Sequence, residues 1–200
     1  ITLAKMAAGT DGNIISYDAS GNPVAIATGS SGQVLTSGGA GAAPSFAAGG
    51  KVVQVVNVQS ASYATGTTAL PMDGSIPQIS EGNEFMTLAV TPTSASNKLI
   101  IHVILYGAGS AAQQYSCALF QDSTANALSV DAHYSQGANE KYSNFVIHHY
   151  MAAGTTSATT FKVRMGHTGG ATAFFNGSHN ADLDHGAANK SSITIWEISA

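Results

Sequence analysis

Charge is what this 200-residue sequence has least of. Seven Lys and Arg stand against eleven Asp and Glu, 9% of the chain where about 25% is usual. The net charge is −4, the isoelectric point is 5.9, and no cluster of Lys or Arg occurs, which excludes nucleic acid and anionic membrane surfaces as partners. A single cysteine, Cys117, excludes an internal disulfide framework and a multi-cysteine zinc site; between Tyr115, Ala118 and Leu119 it reads as a buried, inert thiol. Long apolar runs are also missing. The longest, Leu99 to Tyr106, is the length of a strand and far short of the roughly 18 residues of a membrane-spanning helix, so no membrane insertion is expected. Few charges with 44% hydrophobic residues is the reverse of the disordered signature. The opening Ile-Thr-Leu-Ala-Lys-Met has neither an initiating methionine nor a leader pattern, and the expectation is a piece of a longer chain.

Glycine is abundant, at 22 residues, and with alanine, serine and threonine it makes up close to half the sequence. Much of it marks a weak repeat within residues 1–50. Gly9-Thr-Asp-Gly12-Asn-Ile14-Ile15 returns as Gly29-Ser-Ser-Gly32-Gln-Val34-Leu35, and Gly21-Asn-Pro23-Val24 returns as Gly41-Ala-Ala-Pro44-Ser-Phe46. Each unit predicts two short strands punctuated by glycines where a left-handed backbone is needed. So few large apolar residues cannot offset the entropy of ordering this segment alone. The regular spacing therefore predicts an oligomeric stalk packed against copies of itself.

Residues 51–200 read as one all-β domain. Strands are predicted at 51–59, 85–91, 98–106, 115–121, 127–134, 142–151, 159–166, 172–176 and 192–199, separated by clusters of turn residues, and no segment carries a helical apolar stripe. This pattern predicts a β-sandwich of jelly-roll type. In 98–106, Leu99, Ile101, Val103 and Leu105 lie on one face, and Ile100, His102, Ile104 and Tyr106 on the other. A sheet wetted on one side should alternate apolar with polar; here, and in Lys51–Gln59, both faces are apolar. The outer face is expected to meet another subunit in a homotrimer.

Side chains with chemical potential are scattered. Of seven histidines, His148 and His149 are adjacent in a strand and point to opposite faces, so within one chain they cannot share an ion. Around a threefold axis, His102 would bring three imidazoles together about a metal or an anion; the competing reading is an imidazole hydrogen-bonded in an interface. Asn180, Asp182 and Asp184 alternate as oxygen ligands for calcium would, but without the glycine and distal glutamate of an EF-hand loop the sequence favours a solvated acidic turn. No cofactor is expected. Paired carboxylates for glycoside hydrolysis are not evident among Glu81, Glu84, Glu140 and Glu197. Gly107-Ala-Gly-Ser110 lacks the last glycine of a nucleophile elbow, and Gly9-x-x-Gly12 lacks the lysine of a phosphate loop. No enzymatic activity is expected.

These residues resemble bacteriophage tail fibres. The unit at 9–23, followed by Gly-Ser-Ser-Gly-Gln-Val-Leu-Thr-Ser (29–37) and Gly-Ala-Ala-Pro (41–44), resembles repeats placed just before fibre tips. Ile76-Pro77-Gln78-x-x-Glu81-Gly82, Val90-Thr91-Pro92, Asn97-Lys98-Leu99 and the closing Ile193-Thr-Ile-Trp-Glu-Ile198 are similar to C-terminal fibre domains. The resemblance implies a virion protein of the tail fibre: a homotrimer with a stalk (1–50) and a receptor-binding head (51–200), joined upstream to other tail or virion proteins. Its tip would bind a glycan or outer-membrane component of the host bacterium. It supplies no contact residues.

Glycan recognition stacks sugar faces on aromatic rings while amides and carboxylates bind the hydroxyls. Tyr115, His133, Tyr134, Tyr142, Phe174, Phe175 and Trp196 are the aromatic candidates, each with core packing as its alternative. If the first and last strands of the head pair antiparallel, the loop 177–191 lies at the tip, and alternating strand directions put 152–158 and 122–126 beside it and 135–141 and 167–171 at the stalk side. Receptor contact is accordingly expected at Phe175, Asn176, His179, Asn180, Asp182, Asp184 and His185. The alternatives are a head fibre or capsid decoration without a specific receptor, a polysaccharide depolymerase, and a cellular trimeric jelly roll of the complement type, for which the sequence lacks a collagen-like repeat.

Overall fold

The computed structural model describes residues 9–49, 51–137, 140–179 and 183–200. The chain divides into two compact units, Ile1–Gly50 and Lys51–Ala200.

The first unit holds two hairpins. β1 (Ile14–Tyr17) pairs antiparallel with β2 (Pro23–Ile26), and β3 (Gln33–Thr36) with β4 (Ser45–Ala48). The repeat is visible in the backbone: the matched pairs Gly12/Gly32 and Gly21/Gly41 all have φ between +79° and +84°, a region that only glycine enters freely. Asp18 builds the first turn by accepting the N–H groups of Ser20 and Asn22, each at 2.8 Å. Ile15, Tyr17, Val34 and Leu35 remain exposed, and hairpins of this length are marginal by themselves.

The second unit is a sandwich of two antiparallel sheets. One contains β10 (Ser129–Tyr134), β9 (Gln114–Gln121), β12 (Thr159–His167) and β7 (Asn83–Val90), in that order. The other contains β5 (Val52–Ser60), β14 (Ser191–Ile198), β8 (Lys98–Gly109), β13 (Ala173–Phe175) and β6 (Ala64–Gly66), with β11 (Glu140–Ala152) also paired to β8. Its six strands occupy four lanes. β11 follows β8 along one edge; along the other, β14 pairs with residues 98–104 and β13 with 107–109. β5 and β6 in turn pair with β14 and β13. Four lanes packed on four strands, with the first and last long strands paired, is a jelly roll. The predicted strands are present. β6 was not predicted.

The core follows from alternation. Leu99, Ile101, Val103 and Leu105 of β8, Ile193 and Ile195 of β14, and Phe145 and Ile147 of β11 face Cys117 and Leu119 of β9 and Phe161, Val163 and Met165 of β12. β9 is buried on both faces. Its outward Ala118 and Phe120 pack beneath Leu70, Ile79 and Ala127. The covering segment is held in place by Leu70 N–H on His167 O (2.9 Å) and by Arg164, whose guanidinium donates to the carbonyls of Glu81 (2.8 Å) and Gly82 (2.7 Å). The chain thus roofs the outer face of one sheet with its own residues.

Strand directions revise the expected placement of the loops. β5 and β14 pair antiparallel as predicted, so the connection from β13 to β14 lies at the end opposite Lys51. The connections at 122–128 and 153–158 lie at the Lys51 end, however, where Ala153 N–H meets Asn97 O and Asp122 N–H meets Thr160 O. The connections after β10 and after β12 lie at the opposite end, where Ser135 N–H meets Gln113 O and Thr168 N–H meets Gln114 O. Both pairs are the reverse of expectation. The reason is that β13 and β14 run in the same direction, one after the other in one lane, so the segment between them makes no reversal and counting turns fails there.

Candidate functional site

The loop between β13 and β14 leaves and rejoins a single strand lane, and Asn176 closes its neck. Its backbone N–H donates to Tyr106 O at 2.9 Å, as a continuing strand would. At φ +53° it then turns out of the sheet, a left-handed conformation that asparagine tolerates better than most residues. Its Nδ2 donates to Ser60 O (2.8 Å) and Ser62 O (3.2 Å), and its Oδ1 accepts Ser191 Oγ–H (2.6 Å) and Ser191 N–H (3.2 Å). Ser191 Oγ accepts Tyr106 N–H at 2.9 Å. Two residues fifteen apart in sequence are thereby fastened to each other and to β8.

This geometry removes two residues from the predicted contact set. Phe175 is 2% exposed and stacks on Phe85, ring centroids 5.1 Å apart, so it belongs to the core. Asn176 is equally buried and its side chain is committed to the neck. His179 is exposed and stands edge-on to Phe174 at 5.8 Å. Asp184 and His185 open a short 3-10 turn, Asp184–Ala187. Asn180 and Asp182 lie outside the described residues. Among the aromatic candidates, Tyr115 and Phe174 are buried, His133 and Tyr134 are exposed on β10, and Trp196 is half-buried on the outer face of its sheet. The Tyr142 side chain lies outside the described residues. The cavity at this end, lined by Gly107, Gly109, Tyr115, His133 and Ser135, measures about 10 Å³, room for about one water molecule. Contact here would be made by loop surface.

A second surface needs explanation: the outer face of the β5–β14–β8–β11 sheet. Strand register arranges it in rows. Val55, Trp196, Ile100 and Tyr150 form one; Asn57, Thr194, His102 and His148 the next; Gln59, Ser192, Ile104 and Val146 a third. Val55 is 51% exposed, Tyr150 64% and Val146 48%, with Val52 and Val53 exposed on the same strand as Val55. Nothing among the described residues roofs this face as Leu70 and Ile79 roof the other sheet.

Near its middle, His102 and His148 sit directly opposite each other across β8 and β11, ring centroids 4.3 Å apart, with Trp196 stacked on His102 at 6.4 Å. Burial, and then the neighbouring His148, hold His102 below the usual imidazole range. His149, next in sequence, lies on the face opposite His148, as strand alternation predicts, and burial holds its pKa below the usual imidazole range. The His102–His148 pair was invisible in the sequence, since nothing in either strand states which partner or register it takes. Among the described residues, no group of three or more His, Cys, Asp or Glu is placed to hold a metal ion. Cys117 is fully buried and burial pushes its thiol up, as an inert thiol requires.

No family signature matches the chain, and no curated protein matches it. Among solved structures, it is similar to the Eiger TNF of S. frugiperda (12% identity, 73% of this chain and 92% of that one, TM-score 0.41). It is also similar to the infectious bursal disease virus VP2 subviral particle (13% identity, 84% and 43%, TM-score 0.33). A third is the enzymatically active domain of Bacteriophage CBA120 tailspike protein 4 (12% identity, 62% and 19%, TM-score 0.26). The chain spans less than half of that VP2 chain and about a fifth of the tailspike chain.

Proposed function

We propose that this chain is the distal part of a trimeric bacteriophage fibre, residues 1–50 forming the stalk and 51–200 a head that attaches the virion to the host surface. The observation that carries the reading is the uncovered apolar face of the β5–β14–β8–β11 sheet. Among the described residues of the second unit, the chain roofs one sheet of its sandwich, and none covers the other. The occupant proposed is further copies of the same chain, because the hairpins of the first unit also expose Ile15, Tyr17, Val34 and Leu35. Two separate regions of one polypeptide thus have the same unmet requirement, and self-association satisfies both. Three copies follow from the resemblance of residues 9–44 and 76–99 to fibre tips.

In this reading the head recognises a host-surface polysaccharide, or an outer-membrane component, through the loop between β13 and β14. Support comes from the loop's position at the end opposite Lys51, its fastened neck and its exposed His179. Asn180, Asp182, Asp184 and His185 stay in the proposed contact set, and no cofactor or catalytic step is part of it. Weak sites on three linked copies gain avidity through effective concentration.

The neck makes the test practicable. Because Asn176 and Ser191 are adjacent in space, residues 178–189 can be replaced by a short Gly-Ser linker without disturbing the sheet. The expected result is an intact trimer that no longer adsorbs to host cells. Retained adsorption by the shortened head overturns the loop assignment, and an unmodified trimer that binds no host cell points to a decoration of the particle instead.

A further inference from the structure

Among the described residues, strand alternation places two imidazoles and no carboxylate on the proposed interface face, and Asp131 of β10 lies at the β11 edge, where its Oδ2 accepts Val146 N–H at 2.8 Å. His102 and His148 face each other at 4.3 Å in the middle row of the outer sheet face. The rows on either side are Val55, Trp196, Ile100 and Tyr150, and Gln59, Ser192, Ile104 and Val146. By strand alternation, the titratable side chains sharing this face among the described residues are Lys98 and Tyr106 from β8 and Tyr150 from β11. β14 and β5 contribute Thr194, Ser192, Asn57 and Gln59, while Glu197 of β14 is fully buried on the inner side. Copies that meet through this face bring more of the same described groups.

We propose that the His102–His148 pair makes association of the copies pH-dependent: three chains assemble while the imidazoles are neutral and separate when they are protonated. The inference rests on the assembly reading above. In the separated chain His148 is exposed and His102 half-buried, so solvent reaches both rings. In the assembly, a first proton would sit desolvated among Trp196, Ile100 and Ile104, and a second would sit beside the first. The assembled form therefore holds imidazole pKa values below those of the separated chain. Association is at full strength while the imidazoles of the separated chain are neutral and weakens as pH falls far enough to protonate them there, which for His102 lies below the usual imidazole range.

One pH unit below its pKa in the separated chain, each imidazole that the assembly keeps neutral lowers the association constant about tenfold. Two per chain in three chains give at most about a million-fold, or about a thousand-fold in the concentration at which assembly is half complete. The test is sedimentation equilibrium of the full chain at about pH 7.5 and about pH 5.5 in about 0.15 M salt, with circular dichroism to show that the strands persist at both. Expected are a trimer at the higher pH and a large rise in the half-assembly concentration at the lower. That rise should be nearly abolished in the His102→Gln/His148→Gln variant. Should that variant not assemble, the pH slope of the wild-type association constant is read alone, and uptake of more than two protons per trimer supports the pair. A wild-type trimer with the same half-assembly concentration at both pH values, or an unchanged response in the variant, overturns the switch and leaves the assembly standing. A monomer at both pH values overturns the assembly reading itself.

Discussion

Glu197 ends the inward series Ile193, Ile195, Glu197 on β14, and its carboxylate takes the place a further apolar side chain would occupy. Thr93 N–H (2.8 Å), Thr93 Oγ–H (2.9 Å) and Asn97 Nδ2–H (2.6 Å) donate to Oε1, and Gln54 Nε2 donates to Oε2. Burial draws this carboxyl upward, but the hydrogen bonds from Gln54, Asn97 and Thr93 outweigh it and bring its pKa from 4.5 down to about 2. A depressed carboxyl stabilises the fold fully above its unfolded pKa and loses that contribution as pH falls through the folded value. The 2.5-unit gap corresponds to about 3 kcal/mol. Glu197→Gln should therefore cost about 3 kcal/mol in denaturant unfolding at neutral pH. The difference from wild type should stay constant down to pH 4.5 and shrink towards pH 2. A constant difference across that window would contradict the role given to the carboxylate. This window lies below the one in which the His102–His148 pair acts, so the two effects separate on one pH axis.

At the scale of elements, β8 is an inner lane of its sheet. It pairs with β11, β14 and β13, and its last turn of strand carries Gly107 and Gly109 where the neighbouring sheet presses closest. A Cβ on Gly109 would fall 1.9 Å from the ring of Tyr115, whose hydroxyl donates to Ala111 O at 3.2 Å and accepts Ala111 N–H at 3.1 Å. Gly109→Ala should destabilise the second unit by about 3 kcal/mol or more. Tyr115→Leu, costly alone, should restore part of that loss in the double variant, a coupling that thermal unfolding of the four proteins measures directly. Strictly additive effects would show that the ring is not what the glycine accommodates.

β8 also shows how far the sequence alone could be read. Its two apolar faces are plain in Leu99–Tyr106, and runs of this kind disclosed the long strands and the sandwich. The repeat at 9–46 disclosed the hairpins, because each glycine position answers a local need. β6 escaped because Ala64–Gly66 has no pattern of its own and is a strand only through its pairing with β13. The loop ends were reversed because one lane shared by β13 and β14 leaves no mark in either segment. Phe175 looked like a contact residue because polar sequence follows it; its burial comes from Phe85, which is remote in the chain. What long-range pairing decides, the His102–His148 contact included, was not legible.

For the whole molecule, the decisive asymmetry lies between its two sheets. Leu70 and Ile79 cover Phe120 on one; on the other, Val55, Trp196, Ile100, Tyr150 and Val146 lie in rows that no described residue of the second unit covers. The proposed function makes this face the surface through which copies associate. The most direct measurement is sedimentation equilibrium of the unmodified chain at micromolar concentration and neutral pH. The account predicts a single species at three times the 20.2 kDa of one chain, and a well-folded monomer of 20.2 kDa would contradict it.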